Sequence, residues 1–289
     1  MNQKDYELLL ELYETKNITR VAQKLFVSQP ALTKRLKNLE EELGCELLVR
    51  SKKGVIFTPL GESIMPYIRH LAATARQMTD YISANQGFIG GTLNLGTSLN
   101  FSQYRLPAAL KDYTERYPLV DIRITTGQSR NLYRMLKRDE ISIAIIRGDF
   151  KWDEGRFLLA SEPMCLVCSK EHRGRPLQTY PQIGRHTDAG LTAQMQTWLG
   201  EQDLSHYPVK LWIDDIDSCK EMARYGLGWC ILPRICLDDF DGHIEPLFFY
   251  DGTPFCRQTH VLYKNSYYEL PQVRLFFECL TENEKRYQT

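Results

Sequence analysis

The stretch from residue 18 to residue 61 constrains the fold of this chain more than any other. Asn17 is a favourable N-cap for a short helix. After an apolar turn at 26–27, Ser28 is a strong N-cap for a longer helix, and Pro30 falls in its first turn, where a missing N–H costs little. Two helices joined by a tight turn and followed by two strand candidates predict a winged helix-turn-helix, a module that places one helix in the DNA major groove.

The longer helix of this pattern has two distinct faces. Leucines recur at steps of four, three and four residues, which predicts a buried face made of Leu32, Leu36, Leu39 and Leu43. The opposite face carries groups that suit base edges, since Gln can pair with adenine and Lys can donate to guanine. A solvated polar face is the alternative interpretation. The predicted DNA contacts of the helix and its cap are Ser28, Gln29, Pro30, Thr33, Lys34 and Lys37.

The turn between the two strand candidates, 47–49 and 55–57, is basic. A basic turn beside such a helix can contact phosphates or the minor groove, whereas a solvated hairpin tip is the alternative. The predicted contacts in this turn are Arg50, Ser51, Lys52 and Lys53. The chain has 36 basic and 36 acidic residues, so its net charge is zero and any basic surface, to which Arg35 would also contribute, must be local.

One long helix is expected after the hairpin. Its apolar residues are spaced in the a/d repeat of a helix that pairs with another. This stripe consists of Ile64, Ile68, Leu71, Ala75, Met78 and Ile82. A single helix buried in the chain's own core could show the same stripe. We predict that the stripe dimerises the chain.

Strands and helices alternate through the rest of the chain. The predicted order is strand 92–96, helix 106–117, strand 120–125, a helix ending at Arg138 and strand 141–146. This order predicts a parallel sheet. A similar pattern runs from Met164 to Tyr263, which indicates two similar lobes.

Polar turns follow these strands. Ligands of parallel sheets bind beyond the carboxyl ends of the strands, and helix N-termini favour anions. The predicted ligand-binding residues are Thr97, Ser98, Asn100, Gly127, Gln128, Ser129, His186, Asp217 and Ser218. Arg147 and Arg185 are further candidates as charge partners of a carboxylate. Ordinary N-caps are the alternative interpretation of any one of these residues.

The 8 cysteines are scattered, mostly among apolar residues. Cys165 and Cys168 form a lone CxxC inside a predicted strand, where positions i and i+3 face opposite sides. Buried, inert thiols are therefore expected. A redox-sensing pair is the alternative.

Several classes of protein are disfavoured. The sequence has no nucleophile elbow, P-loop or metal-ligand cluster, and its six histidines show no short ligand spacing, so we expect no catalytic residues and no metal. The N-terminus has no signal-peptide core. No apolar run approaches the roughly 18 residues that a membrane span needs. A cytoplasmic protein that does not contact a membrane is expected.

The N-terminal residues resemble the LysR-type transcriptional regulators of bacteria. The matching residues are Val21-Ala22, Ser28-Gln29-Pro30-Ala31-Leu32-Thr33, Leu39-Glu40, Leu43-Gly44, Arg50 and Thr58-Pro59-Leu60-Gly61. Thr33 stands where the family usually has Ser, and Val49 where it usually has Phe, so a hydroxyl and an apolar side chain are kept. The later part of the chain resembles the family more loosely, at 91–96, 117–120, 226–228 and 232–233.

The resemblance implies an α/β protein in three parts. These are a winged helix-turn-helix DNA-binding domain at 1–59, a linker helix for dimerisation at 60–87, and a two-lobed effector domain at 88–289 that is similar to periplasmic binding proteins. The first lobe would comprise 88–160 and 266–289, and the second 161–265, with two crossing strands as a hinge.

The resemblance also implies sequence-specific regulation of transcription by a small-molecule effector bound between the lobes. The effector is unknown, and it would be anionic if the helix N-termini bind it. The implied partners are double-stranded DNA, further copies of the chain in a homodimer or homotetramer, and RNA polymerase. A thiol-based redox regulator and an α/β enzyme are the alternatives to this function.

Overall fold

The computed structural model describes residues 1–51, 54–85 and 89–288. Its first domain consists of α1 (Gln3–Thr15), α2 (Ile18–Lys24), α3 (Gln29–Leu43) and an antiparallel hairpin of β1 (Leu48–Ser51) and β2 (Gly54–Phe57). Leucines of α1 and α3 pack with Val21 of α2 and with Val55 and Phe57 of the hairpin. The predicted winged helix-turn-helix is confirmed.

The predicted caps delimit α2 and α3. The side chain of Asn17 accepts a hydrogen bond from the backbone N–H of Arg20 at 3.1 Å, and Ser28 Oγ accepts one from Ala31 N–H at 3.3 Å. Leu32, Leu36 and Leu39 are buried as predicted, but Leu43 is 41% exposed, so the prediction for Leu43 was wrong. The last three residues of α3, 41–43, are all exposed to solvent.

The long helix α4 (Pro59–Asn85) starts on the first domain. Thr58 Oγ1 accepts a hydrogen bond from Gly61 N–H at 2.9 Å and caps the first turn. Gly61 is required there, because a Cβ atom would lie 2.3 Å from the carbonyl oxygen of Leu47. The end of the predicted linker at residue 87 lies outside the described residues.

The predicted stripe of α4 is divided between two environments. Ile64 and Ile68 pack against the core of the first domain, while Leu71, Met78 and Ile82 are exposed. The prediction that all six residues form one pairing face was therefore wrong for the first two. The reason is that the early turns of α4 lie against α1 and bury their apolar side chains within the same chain.

The first lobe begins with β3 (Gly91–Ser98), α5 (Leu99–Tyr104), α6 (Leu106–Arg116), β4 (Val120–Gly127), α7 (Ser129–Lys137) and β5 (Ile143–Arg147). β3 is parallel to both β4 and β5. The predicted parallel sheet is confirmed. All three strands end at the same edge of the sheet, which therefore carries Ser98, Gly127 and Arg147.

The strand β6 (Gly155–Cys168) runs through both lobes. Its first half pairs with β11 (Cys256–Tyr263), and its second half pairs with β9 (Cys230–Pro233) and β10 (His243–Pro246). The change of partners falls at Pro163, which lies opposite Cys256 of β11.

The boundary predicted at residue 265 was placed too late. β11 lies between β5 and β6 in the sheet of the first lobe, with Thr259 opposite Arg147, so the chain has returned to that lobe by about Cys256. An antiparallel strand inserted between two others is decided by long-range pairing, which residue patterns along the chain do not reveal.

The second lobe adds β7 (Gln182–Gly184), α8 (Ala189–Glu201), β8 (Val209–Trp212) and α9 (Ile216–Arg224) to β9 and β10. β7 and β8 are parallel. The chain ends with α10 (Asn265–Tyr268) and α11 (Pro271–Gln288), which packs on the first lobe, where Tyr113 donates to the carbonyl oxygen of Gln272 at 2.7 Å. Of the helices in the described ranges, none is long and apolar enough to cross a membrane.

Candidate functional site

The outer face of α3 presents polar side chains away from the core. Gln29, Lys34 and Lys37 are exposed and Thr33 is half-buried, while Ser28 serves as the cap and Pro30 lies in the first turn. Lys37 forms a 3.5 Å ion pair with Glu41 one turn later. The structure thus leaves three of the predicted contacts of α3, Gln29, Lys34 and Lys37, exposed to solvent.

Arg35 stabilises the fold of the first domain and does not add to the basic charge of its surface. Its Nε and one terminal nitrogen lie 2.6 and 2.5 Å from the two carboxylate oxygens of Asp5 on α1. Burial opposes ionisation of Asp5, but hydrogen bonds from Arg35 and from the backbone N–H of Asn2 outweigh it, so the pKa of Asp5 is lowered. The expectation that Arg35 contributes to a basic surface was therefore wrong, because its charge is neutralised within the domain.

The hairpin lies beside the turn between α1 and α2. Val55 N–H donates to the carbonyl oxygen of Lys16 at 2.9 Å, and Gly54 approaches the same oxygen so closely that a Cβ atom would be 2.4 Å away. Of the predicted contacts in the turn, Lys52 and Lys53 lie outside the described residues. For Arg50 and Ser51 the structure describes the backbone at the end of β1.

Two residues of α2 were missed by sequence reasoning. Thr19 and Arg20 are exposed in the first turn of α2, and Thr19 Oγ1 donates to the side-chain oxygen of Gln29 at 3.4 Å. The available signal was their position before the buried pair Val21 and Ala22, which places them on the outer side of α2. Through its contact with Gln29, Thr19 extends the exposed polar face of α3.

The predicted turns of the first lobe meet at the carboxyl edge of its sheet. Ser98 lies opposite Gly127, and Ser129 Oγ accepts a hydrogen bond from the backbone N–H of Arg147 at 3.0 Å. Thr97 is buried beside Ser98, whereas Asn100 is half-buried and Gln128 is exposed at the start of α7. The structure therefore brings the predicted residues of three separate turns together.

A buried charged group completes this edge, and sequence reasoning had named its member Arg147 but missed Glu162 and Arg257. Arg147 donates to Glu162 at 2.7 Å, and Arg257 lies opposite Glu162 in the pairing of β6 with β11. Arg257 in turn forms an ion pair with Asp188, the N-cap of α8 in the second lobe. The only signal in the sequence was that Glu162 and Arg257 are isolated charges next to apolar strand residues, which does not show that they meet.

The predicted ligands from the second lobe have other partners. Asp217 accepts hydrogen bonds from Gln103, at 2.6 Å, and from Tyr104, both on α5 of the first lobe. Asp215, not Asp217 or Ser218, is the N-cap of α9, and its carboxylate accepts from the backbone N–H and hydroxyl of Ser218. Asp217 and Ser218 therefore lie in the first turn of α9, which begins at Ile216, and neither of them is its cap.

His186 lies at the exposed carboxyl edge of β7. Its ring stacks on Trp212 with centroids 4.9 Å apart, and Nε2 lies 3.9 Å from Asp214. Its ring is 73% exposed. In this arrangement His186 is a surface residue of the second lobe.

Six of the described cysteines are buried, whereas Cys45 and Cys256 are half-buried. Cys165 and Cys168 belong to different hydrophobic clusters, which confirms that they face opposite sides of β6. Burial raises the pKa of Cys165 to about 11 and that of Cys236 to about 12. Because the thiolate is the reactive form, these residues and the similarly buried Cys230 are poor redox sensors.

Two models of protein families match the chain. Residues 3–62 match the model described as the bacterial regulatory helix-turn-helix protein of the lysR family. Residues 86–285 match the LysR substrate binding domain. Together they cover both domains described above.

Similar proteins agree with these matches. The uncharacterised HTH-type transcriptional regulators YraN and YkuM of Bacillus subtilis are 33% and 31% identical, over 97% and 98% of this chain and 97% of each relative. A full-length OxyR variant from Pseudomonas aeruginosa has the same fold, with a TM-score of 0.72 at 20% identity, over 99% of this chain and 95% of that one.

CbnR in complex with its target DNA has a TM-score of 0.65 at 17% identity, over 98% of this chain and all of that one. These likenesses to solved structures extend through both domains and α4. With the two family matches and the two relatives above 30% identity, they lead to one conclusion: the chain is a DNA-binding transcription regulator with an effector-binding domain and belongs to the LysR family.

Proposed function

We propose that this regulator reads its operator with the outer face of α3 and the hairpin, works as a homodimer or homotetramer, and responds to a small molecule bound between its lobes. The observation that carries the proposal is the group of turns from both lobes around Arg147, Glu162 and Arg257, at the edge where parallel sheets bind ligands. RNA polymerase is the proposed further partner.

Direct reading of bases rests on α3. Gln29 and Lys34 are exposed and have the donor and acceptor groups that distinguish base pairs in the major groove. The test is selection of bound sequences from a random DNA pool by the full-length protein. Gln29→Ala should relax the base preference at one position of the operator, whereas Gln23→Ala, an exposed glutamine of α2, should not. Failure of the wild-type protein to enrich any sequence would refute this part of the proposal.

Dimerisation rests on the exposed part of α4. Met78 and Ile82 are 61% and 52% exposed, and Tyr67 and Leu71 continue this apolar face towards the first domain. An apolar helix face of this length is stable in water only when another surface covers it. Met78→Asp should lower the mass of the full-length protein in analytical ultracentrifugation, and Thr79→Asp, an exposed neighbour, is the control. An unchanged mass for Met78→Asp would contradict pairing through this face.

Control by an effector requires unequal binding to two arrangements of the lobes. The contact of Asp217 with Gln103 and Tyr104 joins the lobes directly and would differ between such arrangements. We expect metabolite extract to change the DNA affinity of the wild-type protein. Asp217→Asn should change the size of that response, whereas Asp214→Asn, on the exposed surface of the second lobe, should leave it unchanged. Equal responses of all three proteins would refute control through the lobes.

A further inference from the structure

The edge between the lobes holds more positive than negative charge. Arg147 pairs with Glu162 at 2.7 Å, and Arg257 pairs with Asp188. Arg185, which directly follows β7, forms neither an ion pair nor a hydrogen bond through its guanidinium with any residue that the structure describes. Arg105 also lies near Glu162 but has its own partner in Asp238, so three guanidinium groups face two carboxylates among the other residues of this edge.

Arg185 precedes Asp188 by three residues, and Asp188 is the ion-pair partner of Arg257. Burial lowers the pKa of Arg147 and of Arg185, and the positive charge of Arg257 lowers both further. Arg257 also approaches the carbonyl oxygen of Arg147 at 3.5 Å. The uncompensated charge thus belongs to one cluster that joins the first lobe, the strand β11 and the second lobe.

Polar atoms of this cluster are buried without hydrogen-bond partners within the described ranges. They are Ser98 Oγ, Arg147 Nε, Glu162 Oε1, Arg185 Nε and Thr259 Oγ1. Thr259 has no exposed surface and lies directly opposite Arg147, while Ser98 ends the neighbouring strand β3. Buried donors without partners are rare in folded proteins because leaving them unpaired is costly.

The charge count identifies the missing partner. One carboxylate balances the one uncompensated guanidinium, and its two oxygens accept hydrogen bonds from N–H and hydroxyl donors. A neutral ligand leaves the charge of Arg185 uncompensated, and a strongly polyanionic ligand brings excess negative charge beside Glu162 and Asp188. The chemistry of the cluster therefore selects a group with a single negative charge.

We infer that the effector carries a carboxylate group that binds Arg185, with the unpartnered donors of Arg147, Ser98 and Thr259 at the same site. The inference rests on the proposed binding between the lobes and adds the chemical class of the ligand and the residue that recognises it. Asp217 and Ser218 are not ligands in this arrangement, since their polar groups are engaged with Tyr104, Gln103 and Asp215.

The test uses the full-length protein with formate, acetate and benzoate, and with acetamide and benzamide as neutral counterparts, at constant ionic strength set with chloride. At about 50 mM, carboxylates of this size should raise the melting temperature, since fragments bind in the millimolar range. The amides should not. Arg185→Gln should weaken carboxylate binding at least roughly tenfold, because a hydrogen-bonded charge pair is lost.

Arg173→Gln, an exposed arginine of the same lobe, is the matched control and should bind carboxylates as the wild type does. Arg185→Lys keeps the positive charge and should retain part of the affinity for carboxylates. This second variant keeps the test valid if Arg185→Gln does not fold. Equal stabilisation by amides, no stabilisation by any carboxylate, or unchanged binding in Arg185→Gln would overturn the inference.

These outcomes are separate from failure of the proposed function. If metabolite extract changes DNA affinity equally in the wild type and in Arg185→Gln, effector control stands and the carboxylate inference falls. If extract has no effect on any of these proteins, the proposed control itself falls.

Discussion

Asp139, in the turn after α7, lies 3.3 Å from the imidazole Nδ1 of His70 on the linker helix α4. The same carboxylate accepts a hydrogen bond from Lys264, and the adjacent Glu140 lies 3.5 Å from Arg69 of α4. The other end of α7 begins at Ser129, which holds the backbone of Arg147 between the lobes. One short helix therefore joins the proposed effector site to the helix that carries the first domain.

Asp139→Asn should loosen this junction. Asp139 has a φ of 58°, which asparagine tolerates, so the change removes the charge and leaves the backbone conformation in place. We expect a loss of about 1 kcal/mol in the free energy of unfolding and faster amide exchange in α4. Asp153→Asn, on the exposed surface of the same lobe, is the control. Unchanged exchange in α4 would show that the contact does not hold the linker.

Glu284 should make stability depend on pH. Its side chain is 4% exposed, and burial raises its pKa from 4.5 to about 7. Because the folded state holds this proton more tightly than the unfolded state, its stabilising effect is complete below pH 4.5 and is lost as the pH rises through about 7. The loss amounts to at most about 3 kcal/mol.

Glu284→Gln mimics the protonated carboxyl group and should remove that loss. In urea unfolding, the variant should match the wild type near pH 5 and exceed its stability at pH 8. Glu278→Gln, an exposed residue of α11, should follow the wild type at both values. If the stability of the wild type does not fall relative to that of Glu284→Gln between pH 5 and pH 8, the raised pKa of Glu284 is contradicted.

Gly61→Ala should destabilise the first domain. The added Cβ atom would lie 2.3 Å from the carbonyl oxygen of Leu47, so the start of α4 or the strand β1 must shift. Overpacking of this kind costs about 1–3 kcal/mol. Gly200→Ala in α8 is the control, since its nearest neighbour would be 3.5 Å away, and it should be neutral or stabilising in thermal unfolding. Equal melting temperatures for the two variants would refute the close approach.

Arg35 and Lys34 should differ in their roles although they are adjacent. Arg35→Gln breaks the pair with Asp5 and should lower the free energy of unfolding by about 1–3 kcal/mol while leaving the salt dependence of DNA binding unchanged. Lys34→Gln should leave stability unchanged and lower the salt slope by about one phosphate contact. The check is to measure the free energy of unfolding and the salt dependence of DNA binding for both variants. The assigned roles are refuted if Lys34→Gln lowers stability and Arg35→Gln lowers the salt slope.

Local signals in the sequence were sufficient for the first domain. The caps Asn17 and Ser28, the leucine spacing of α3 and the Thr58–Gly61 motif each act within one or two helical turns. Their physical effect depends on neighbours along the chain, so it can be read from the chain. The parallel order of β3, β4 and β5 was predictable for the same reason, because each strand alternates with a helix.

Long-range pairing decided what the sequence left open. The insertion of β11 between β5 and β6 places Thr259 opposite Arg147 and Arg257 opposite Glu162. Glu162 and Arg257 are more than 90 residues apart along the chain. A charge in a strand has the same local pattern whether it meets a partner or not. Sequence reasoning therefore named Arg147 and Arg185 as candidates but missed Arg257 and the meeting of the three arginines.

The sequence by itself determined that this protein has a winged helix-turn-helix, a long linker helix and a two-lobed α/β domain, because those features arise from caps, periodicity and alternation of elements. The tertiary structure alone decided which part of the α4 stripe is exposed, that Asp217 joins the lobes, and that Arg185 is left without a partner among the described residues. These properties depend on which surfaces meet, and contact between distant segments is set by packing and burial of the whole chain.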